Sequence, residues 1–137
     1  MLCKGTDFAA TDIEVVQMPS ATYKLFARAM RQRKQIVCIY DGRRVEICPH
    51  VLGHNNEGEE AALTFQFGGE TSKGPLQKAQ FKCVRLASVR DAELRDGEWY
   101  TVKRYAARQH CVASVDLDVN PKSPYNPKRR LDELEIG

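Results

Sequence analysis

With 137 residues, a net charge of +3, 42% hydrophobic and 28% charged residues, the chain reads as a single soluble domain with room for a modest core. No apolar run nears the roughly 18 residues of a membrane span, and the polar start MLCKGTDFAATDIEVV is no signal-peptide core, so a cytoplasmic protein is expected rather than a membrane or exported one. Five widely spaced cysteines (Cys3, Cys38, Cys48, Cys83, Cys111), an odd set without a C-x-x-C pair, argue against a disulfide framework and for a reducing compartment.

Residues 1–18 lack periodicity and read as a loosely held arm. Pro19-Ser20 then introduces ATYKLFARAMRQRKQ, in which Tyr23, Leu25, Phe26 and Met30 recur at helical spacing. The spacing predicts an amphipathic helix over about residues 20–34, N-capped by Ser20 but without a glutamate at the capping-box position. A lone helix is too little for a helix-turn-helix.

From Gln35 the period changes to two. IVCIY, Asp41-Gly42 and RVEI form a hairpin signal. The turn HNNEGEE leads to the alternating strand Ala62–Phe67, and FGGETSKGPLQKAQ reads as a long loop. Phe81–Leu86 is a further strand, continued by Val89. A second Asp-Gly turn, in LRDGEWY, joins Ala92–Leu94 to a strand at Trp99–Val102. Val112–Val119 alternates again, and the charged, Pro-containing residues 120–137 read as a flexible tail. The expected fold class is therefore α+β, mainly β, with one domain over residues 19–119: a helix followed by a small antiparallel barrel or sandwich.

The first Asp-Gly turn has geometric consequences. A two-residue loop at 41–42 opposes residues whose numbers sum to 83, pairing Tyr40 with Arg43, Cys38 with Val45 and Ile36 with Ile47. Successive pairs alternate faces, so Cys38 and Cys48 point to opposite sides and share neither a metal nor a disulfide. Ile36, Cys38, Val45 and Ile47 make a core face. Arg44, Glu46 and Cys48 occupy the other, joined by His50 unless a bulge at Pro49 turns it away.

Cys48, His50 and His54 have a spacing, C-x-H-x₃-H, that is unusual for zinc, so no metal site is assigned. Cys48 with His50, and Cys111 with His110, are the available Cys-His nucleophile pairs; in the second, adjacent strand residues point apart. No G-x-S-x-G, P-loop, H-E-x-x-H or paired-carboxylate signature is present. No catalytic residue and no cofactor is assigned, and the chain is not expected to be an enzyme.

The charges come in blocks. Residues 21–44 carry Lys24, Arg28, Arg31, Arg33, Lys34, Arg43 and Arg44 against Asp41 alone, and residues 71–90 carry five cations and no acid. Residues 45–70 carry only acids. Brought together by the fold, the basic blocks would suit a phosphate-bearing partner; kept apart, they are solvated charges.

The helix running into QIVCIYDGRRVEICPHVLG, the acidic turn, AALTFQFGG, a polar loop and FKCVRLASVRDAEL together resemble the WYL domain. This is a small Sm-like (SH3-type) β-barrel found mostly in bacterial and phage-related regulators. Tyr40, Pro49 and Leu52 match its first elements, and Phe81, Lys82, Arg85 and Leu86 match most of its basic last strand. Ala62-Leu63-Thr64-Phe65 stands where the Trp-Tyr-Leu motif belongs. The resemblance implies a stand-alone regulatory module with a basic groove for a nucleotide or single-stranded nucleic acid. The candidate ligand residues are Arg43, Arg44, His50, Thr64, Gln66, Lys82 and Arg85, with the Gly68-Gly69 to Gly74 loop as a close approach to the backbone. A protein-interaction or homo-oligomeric module is the alternative. Fold-level analogy does not decide between them.

Overall fold

The structure is a computed structural model that describes residues 18–102, 109–121 and 123–125. The arm expected over residues 1–18 lies, except for Met18, outside the described residues, as does most of the expected tail.

Helix α1 (Ala21–Gln32) begins where expected. The Ser20 hydroxyl accepts from the Tyr23 N–H at 3.1 Å. The reciprocal half of a capping box, absent from the local sequence, comes from a distant strand: Glu60 accepts from the Ser20 N–H at 3.0 Å and from its hydroxyl. The helix ends in a left-handed residue, Arg33 (φ 54°, ψ 50°), with the Lys34 N–H bonded back to the Ala29 carbonyl at 2.9 Å. Tyr23, Phe26, Ala27, Ala29 and Met30 are buried, whereas Leu25 is only half-buried.

Strands β1 (Gln35–Tyr40) and β2 (Arg43–His54) form the expected hairpin, with Tyr40 opposite Arg43, Cys38 opposite Val45 and Ile36 opposite Ile47. Asp41 (φ 52°) and Gly42 (φ 80°) both have positive φ, as the two-residue turn demands. β3 (Glu60–Thr71) pairs along β2, and β4 (Gly74–Pro75) folds back on its end. The segment expected as a loop is thus largely a hairpin, because Thr71 Oγ1 accepts from Lys73 N–H and donates to the Gly74 carbonyl. β5 (Gln80–Arg85) adds to β3. Val89 does not continue β5: a 3-10 turn at Leu86–Ser88 redirects the chain, and β6 (Val89–Arg95) pairs with β1 instead. β7 (Ser114–Asp118) pairs with the second half of β2.

The result is one curled antiparallel sheet of seven strands, in the order β4-β3-β2-β1-β6, with β5 on β3 and β7 on β2. This is a half-barrel following one helix, within the α+β, mainly β class expected from the sequence. A bulge in β2 at His50, between Pro49 and Val51, lets that strand bend, and a second irregularity opposite Glu46 and Ile47 places the extra residue, Phe67, in β3. The concave face packs Tyr23, Phe26 and Met30 of α1 against Ile36, Cys38, Val45, Ile47, Leu52, Val84, Leu86 and Leu117. A second cluster lies across the sheet, where Val51, Ala61, Leu63, Val112 and Val115 meet Phe81, Cys111 and Tyr125.

Two further expectations are corrected. Trp99–Val102 is not a strand. After β6, residues 96–102 are irregular, and side chains take the place of a ladder: the Gln35 amide donates to the Glu98 carbonyl at 2.8 Å, and the Tyr100 N–H donates to Cys48 Sγ at 3.4 Å. Cys83 and Cys111 are disulfide-bonded, their Cα atoms 5.5 Å apart across a separation of 28 residues. The bridge ties β5 to the segment leading into β7, a juxtaposition created by tertiary folding. Cys38 and Cys48 are free and buried.

Gly53 lets β7 approach β2 closely. A Cβ there would sit 1.9 Å from the Ser114 carbonyl oxygen and 2.7 Å from Val112 Cγ1. Gly53→Ala is expected to cost about 3 kcal/mol through forced backbone displacement. A lowered urea midpoint, with amide exchange in Ser114–Asp118 accelerating before that of β1 and β3, is the expected readout.

Candidate ligand-binding site

The antiparallel β2–β3 register places Val45 opposite Gly69, so the β1–β2 turn and the β3–β4 turn share one end of the sheet. β5 starts beside them, with Gln80 opposite Gln66 and Lys82 opposite Thr64. Between these three elements lies a cavity of about 290 Å³, lined by Tyr40, Asp41, Arg43, Val45, Glu70, Thr71, Ser72, Gln80 and Lys82. Arg43 and Lys82, from the two separate basic blocks, therefore meet in one pocket. Neither holds an ion pair among the described residues. The Lys82 ammonium lies 5.2 Å from the Tyr40 ring centroid, a cation–π contact, and the Tyr40 hydroxyl accepts from the Arg85 N–H at 3.1 Å. Two carboxylates, Asp41 and Glu70, share the lining.

The other expected ligand residues fall elsewhere. Thr64 and Gln66 are fully buried. Thr64 Oγ1 donates to the Lys82 carbonyl at 3.0 Å, and the Gln66 amide donates to the carbonyls of Gly68 and Glu70, both at 3.0 Å. They brace the pocket wall from beneath and present nothing into the pocket. Gly69 (φ 91°) belongs to the same brace, because a Cβ there would lie 2.3 Å from the Arg44 carbonyl. Arg44 turns to Glu46, and Arg85 projects outward, with a 60% exposed side chain 3.9 Å from Glu59.

His50 lies on the opposite sheet face. Its ring packs 5.5 Å from Phe81 and 6.3 Å from Phe65, the residue opposite Cys48, so the bulge does not turn it away from the Cys48 side. Trp99 stacks over it at 5.3 Å. Nδ1–H donates to the Cys48 carbonyl at 2.8 Å, which leaves Nε2 to accept from the Thr101 hydroxyl at 2.7 Å. Burial lowers the His50 pKa and keeps the ring neutral. Burial also raises both free thiols, Cys38 and Cys48, to about 11, so they are protonated at neutral pH. Cys48, His50 and His54 do not converge: no group of three potential metal ligands exists among the described residues.

A second cavity, of about 270 Å³, opens beside His50 and is lined also by Arg33, Trp99, Thr101, Val119 and Asn120. Of these, sequence reasoning singled out only His50. In the sequence Arg33 belongs to a basic block and Trp99 to an expected strand, and neither carries a local signal of pocket formation.

No protein-family model, no curated protein and no solved structure matches this chain.

Glu46 links β2 to β6 across β1, bonded to Arg95 at 2.8 Å and to Arg44. The Arg95 hydrogen bond, followed by that from Arg44, outweighs burial and holds its carboxyl below the usual glutamate range. A depressed carboxylate pKa contributes stability that is fully present above the unfolded value, near pH 4.3, and lost as pH falls through the folded value. Urea midpoints measured between about pH 6 and pH 2.5 are therefore expected to drop in wild type below about pH 4.3, and to drop less steeply in Glu46→Gln.

Proposed function

We propose that the protein is a WYL-type regulatory module that binds a nucleotide or a short single-stranded nucleic acid at the Arg43/Lys82 pocket. The observation that carries this reading is the convergence of two cations from separate basic blocks on one cavity, neither engaged in an ion pair among the described residues. Arginine meets a phosphate with a planar fork and lysine with a point charge, so together they suit one phosphate group. Asp41 and Glu70 oppose a dense run of phosphates but accept hydrogen bonds from ribose hydroxyls or base amino groups. The balance favours a mononucleotide or a chain terminus over an extended backbone. The cavity, of about 290 Å³, is at the small end for ligand sites.

In this reading the module binds and does not catalyse. No helix among the described residues is long and apolar enough to cross a membrane. The cytoplasm belongs to the same proposal; there an exposed bridge is kept reduced, and Cys83 and Cys111 would stand as thiols. β5 would keep its ladder to β3 and the pocket its lysine.

A second reading, protein interaction or homo-oligomerisation by edge pairing, is favoured by one feature. The sheet ends at β6, which among the described residues is laddered only to β1. Size-exclusion chromatography with light scattering tests it: a stable dimer or ring supports it, a monomer at all concentrations removes it.

For the first reading, thermal shift with nucleoside monophosphates and short oligonucleotides is the direct measurement. A ligand at 100 times its dissociation constant is expected to stabilise by about 2.7 kcal/mol. The effect should weaken as salt rises and vanish in the Arg43→Ala/Lys82→Ala double variant. Absence of any shift with wild type at low salt removes the reading.

A further inference from the structure

Arg33 occupies a position where glycine is the ordinary choice. It closes α1 in the left-handed conformation (φ 54°), which lacks a steric penalty only without a Cβ. The side chain that stays there points into the second cavity. One terminal nitrogen donates to the Met30 carbonyl, the other to the Val119 carbonyl at 3.4 Å, and the guanidinium carbon lies 5.6 Å from the Trp99 ring centroid. A guanidinium has five N–H donors, so three remain. Arg33 forms no ion pair among the described residues; the residue keeps contact with solvent, and the part of its side chain that is buried lowers its pKa.

The surroundings choose the ligand class. The floor is His50, held neutral with one nitrogen donating to Cys48 and the other accepting from Thr101. It neither repels nor neutralises an anion. Trp99 supplies an aromatic wall, and Val102, Val119 and Pro121 supply apolar contacts. The fork can pair bidentately with a carboxylate, and among the described residues the lining holds no second cation to match the added charge of a phosphate. The cavity of about 270 Å³ admits a one-ring or fused two-ring molecule.

We propose that Arg33, Trp99 and His50 form a second binding site, on the opposite sheet face from the nucleotide pocket, for a small aromatic or heteroaromatic carboxylate. The ring lies against Trp99 and the apolar rim, and the carboxylate meets the remaining guanidinium donors. The site is independent of the Arg43/Lys82 pocket, with which it shares no residue.

Trp99 is the protein's single tryptophan, so its fluorescence reports this cavity alone. Titration of the full chain with benzoate, excited at the red edge of the indole band, is expected to give a saturable change, and benzamide, which lacks the charge, a response at least about tenfold weaker. Arg33→Gly removes the fork yet suits the left-handed cap, so its thermal midpoint is expected to equal or exceed that of wild type while benzoate affinity falls at least about tenfold. Arg33→Lys, which keeps the charge without the fork, is expected to fall between the two. Arg43→Ala/Lys82→Ala is expected to bind benzoate like wild type, which separates this site from the nucleotide pocket. Equal responses to benzoate and benzamide, no saturable change up to about 10 mM benzoate, or undiminished binding in Arg33→Gly would each overturn the proposal. A lowered midpoint with unchanged binding in that variant would reduce Arg33 to a helix clamp and overturn it as well.

Discussion

The bend in β2 is the constraint on which the remaining architecture depends. This strand is twelve residues long and hydrogen-bonds to three others: β3 along one edge, and β1 and then β7 along the other. A straight strand would carry β1 and β7 in one plane and leave α1 facing a flat sheet. The bulge at His50, with a second one in the paired strand β3 at Phe67, removes that possibility by adding local twist and curling the sheet. Ile47 and Leu52 are five residues apart, an odd spacing that strict alternation would put on opposite faces, yet both lie in the core against α1. The extra residue at His50 reconciles them.

The same bulge explains why the sheet has two apolar faces. His50 and Val51 both lie on the convex side with Cys48, Leu63, Phe65 and Phe81, too much apolar surface to leave in water. Residues 96–102 cross this face and seat Trp99 on His50, and the segment from Gln109 brings Val112 and Cys111 onto it. Gln109 secures that segment by bonding the N–H and the carbonyl of Val112, 2.7 and 2.8 Å. Covering the face turns Cys48 and His50 from exposed groups into buried, neutral ones and leaves a cavity at the margin, where Arg33 enters.

Legibility followed the range of each interaction. The β1–β2 register was readable because Asp41-Gly42 accepts positive φ at both central positions and no other part of the chain is needed to set the pairing. Helix α1 was readable from its apolar spacing and from Ser20. Its second cap, Glu60, was not, because it arrives from a strand forty residues away. The Asp96-Gly97 turn misled for the converse reason. The same dipeptide signal is present, but the residues after it find side-chain partners in Gln35, Cys48 and His50 and no strand to pair with. Thr64 and Gln66, chosen as polar groups on a strand, are buried braces, since a polar residue in a sheet of two covered faces bonds to backbone.

The sequence by itself determined the helix, the first hairpin with its register, the separation of Cys38 from Cys48, and the mainly β class, because each follows from dihedral preferences and periodicities that act over a few residues. Tertiary structure alone decided that Cys83 meets Cys111, that Arg43 meets Lys82 while Arg44 and Arg85 turn away, and that His50 lies beneath Trp99 beside Arg33. Those are encounters between segments 17 to 49 positions apart in the sequence. Which of them occur depends on the direction and curl of the sheet, which no local pattern carries.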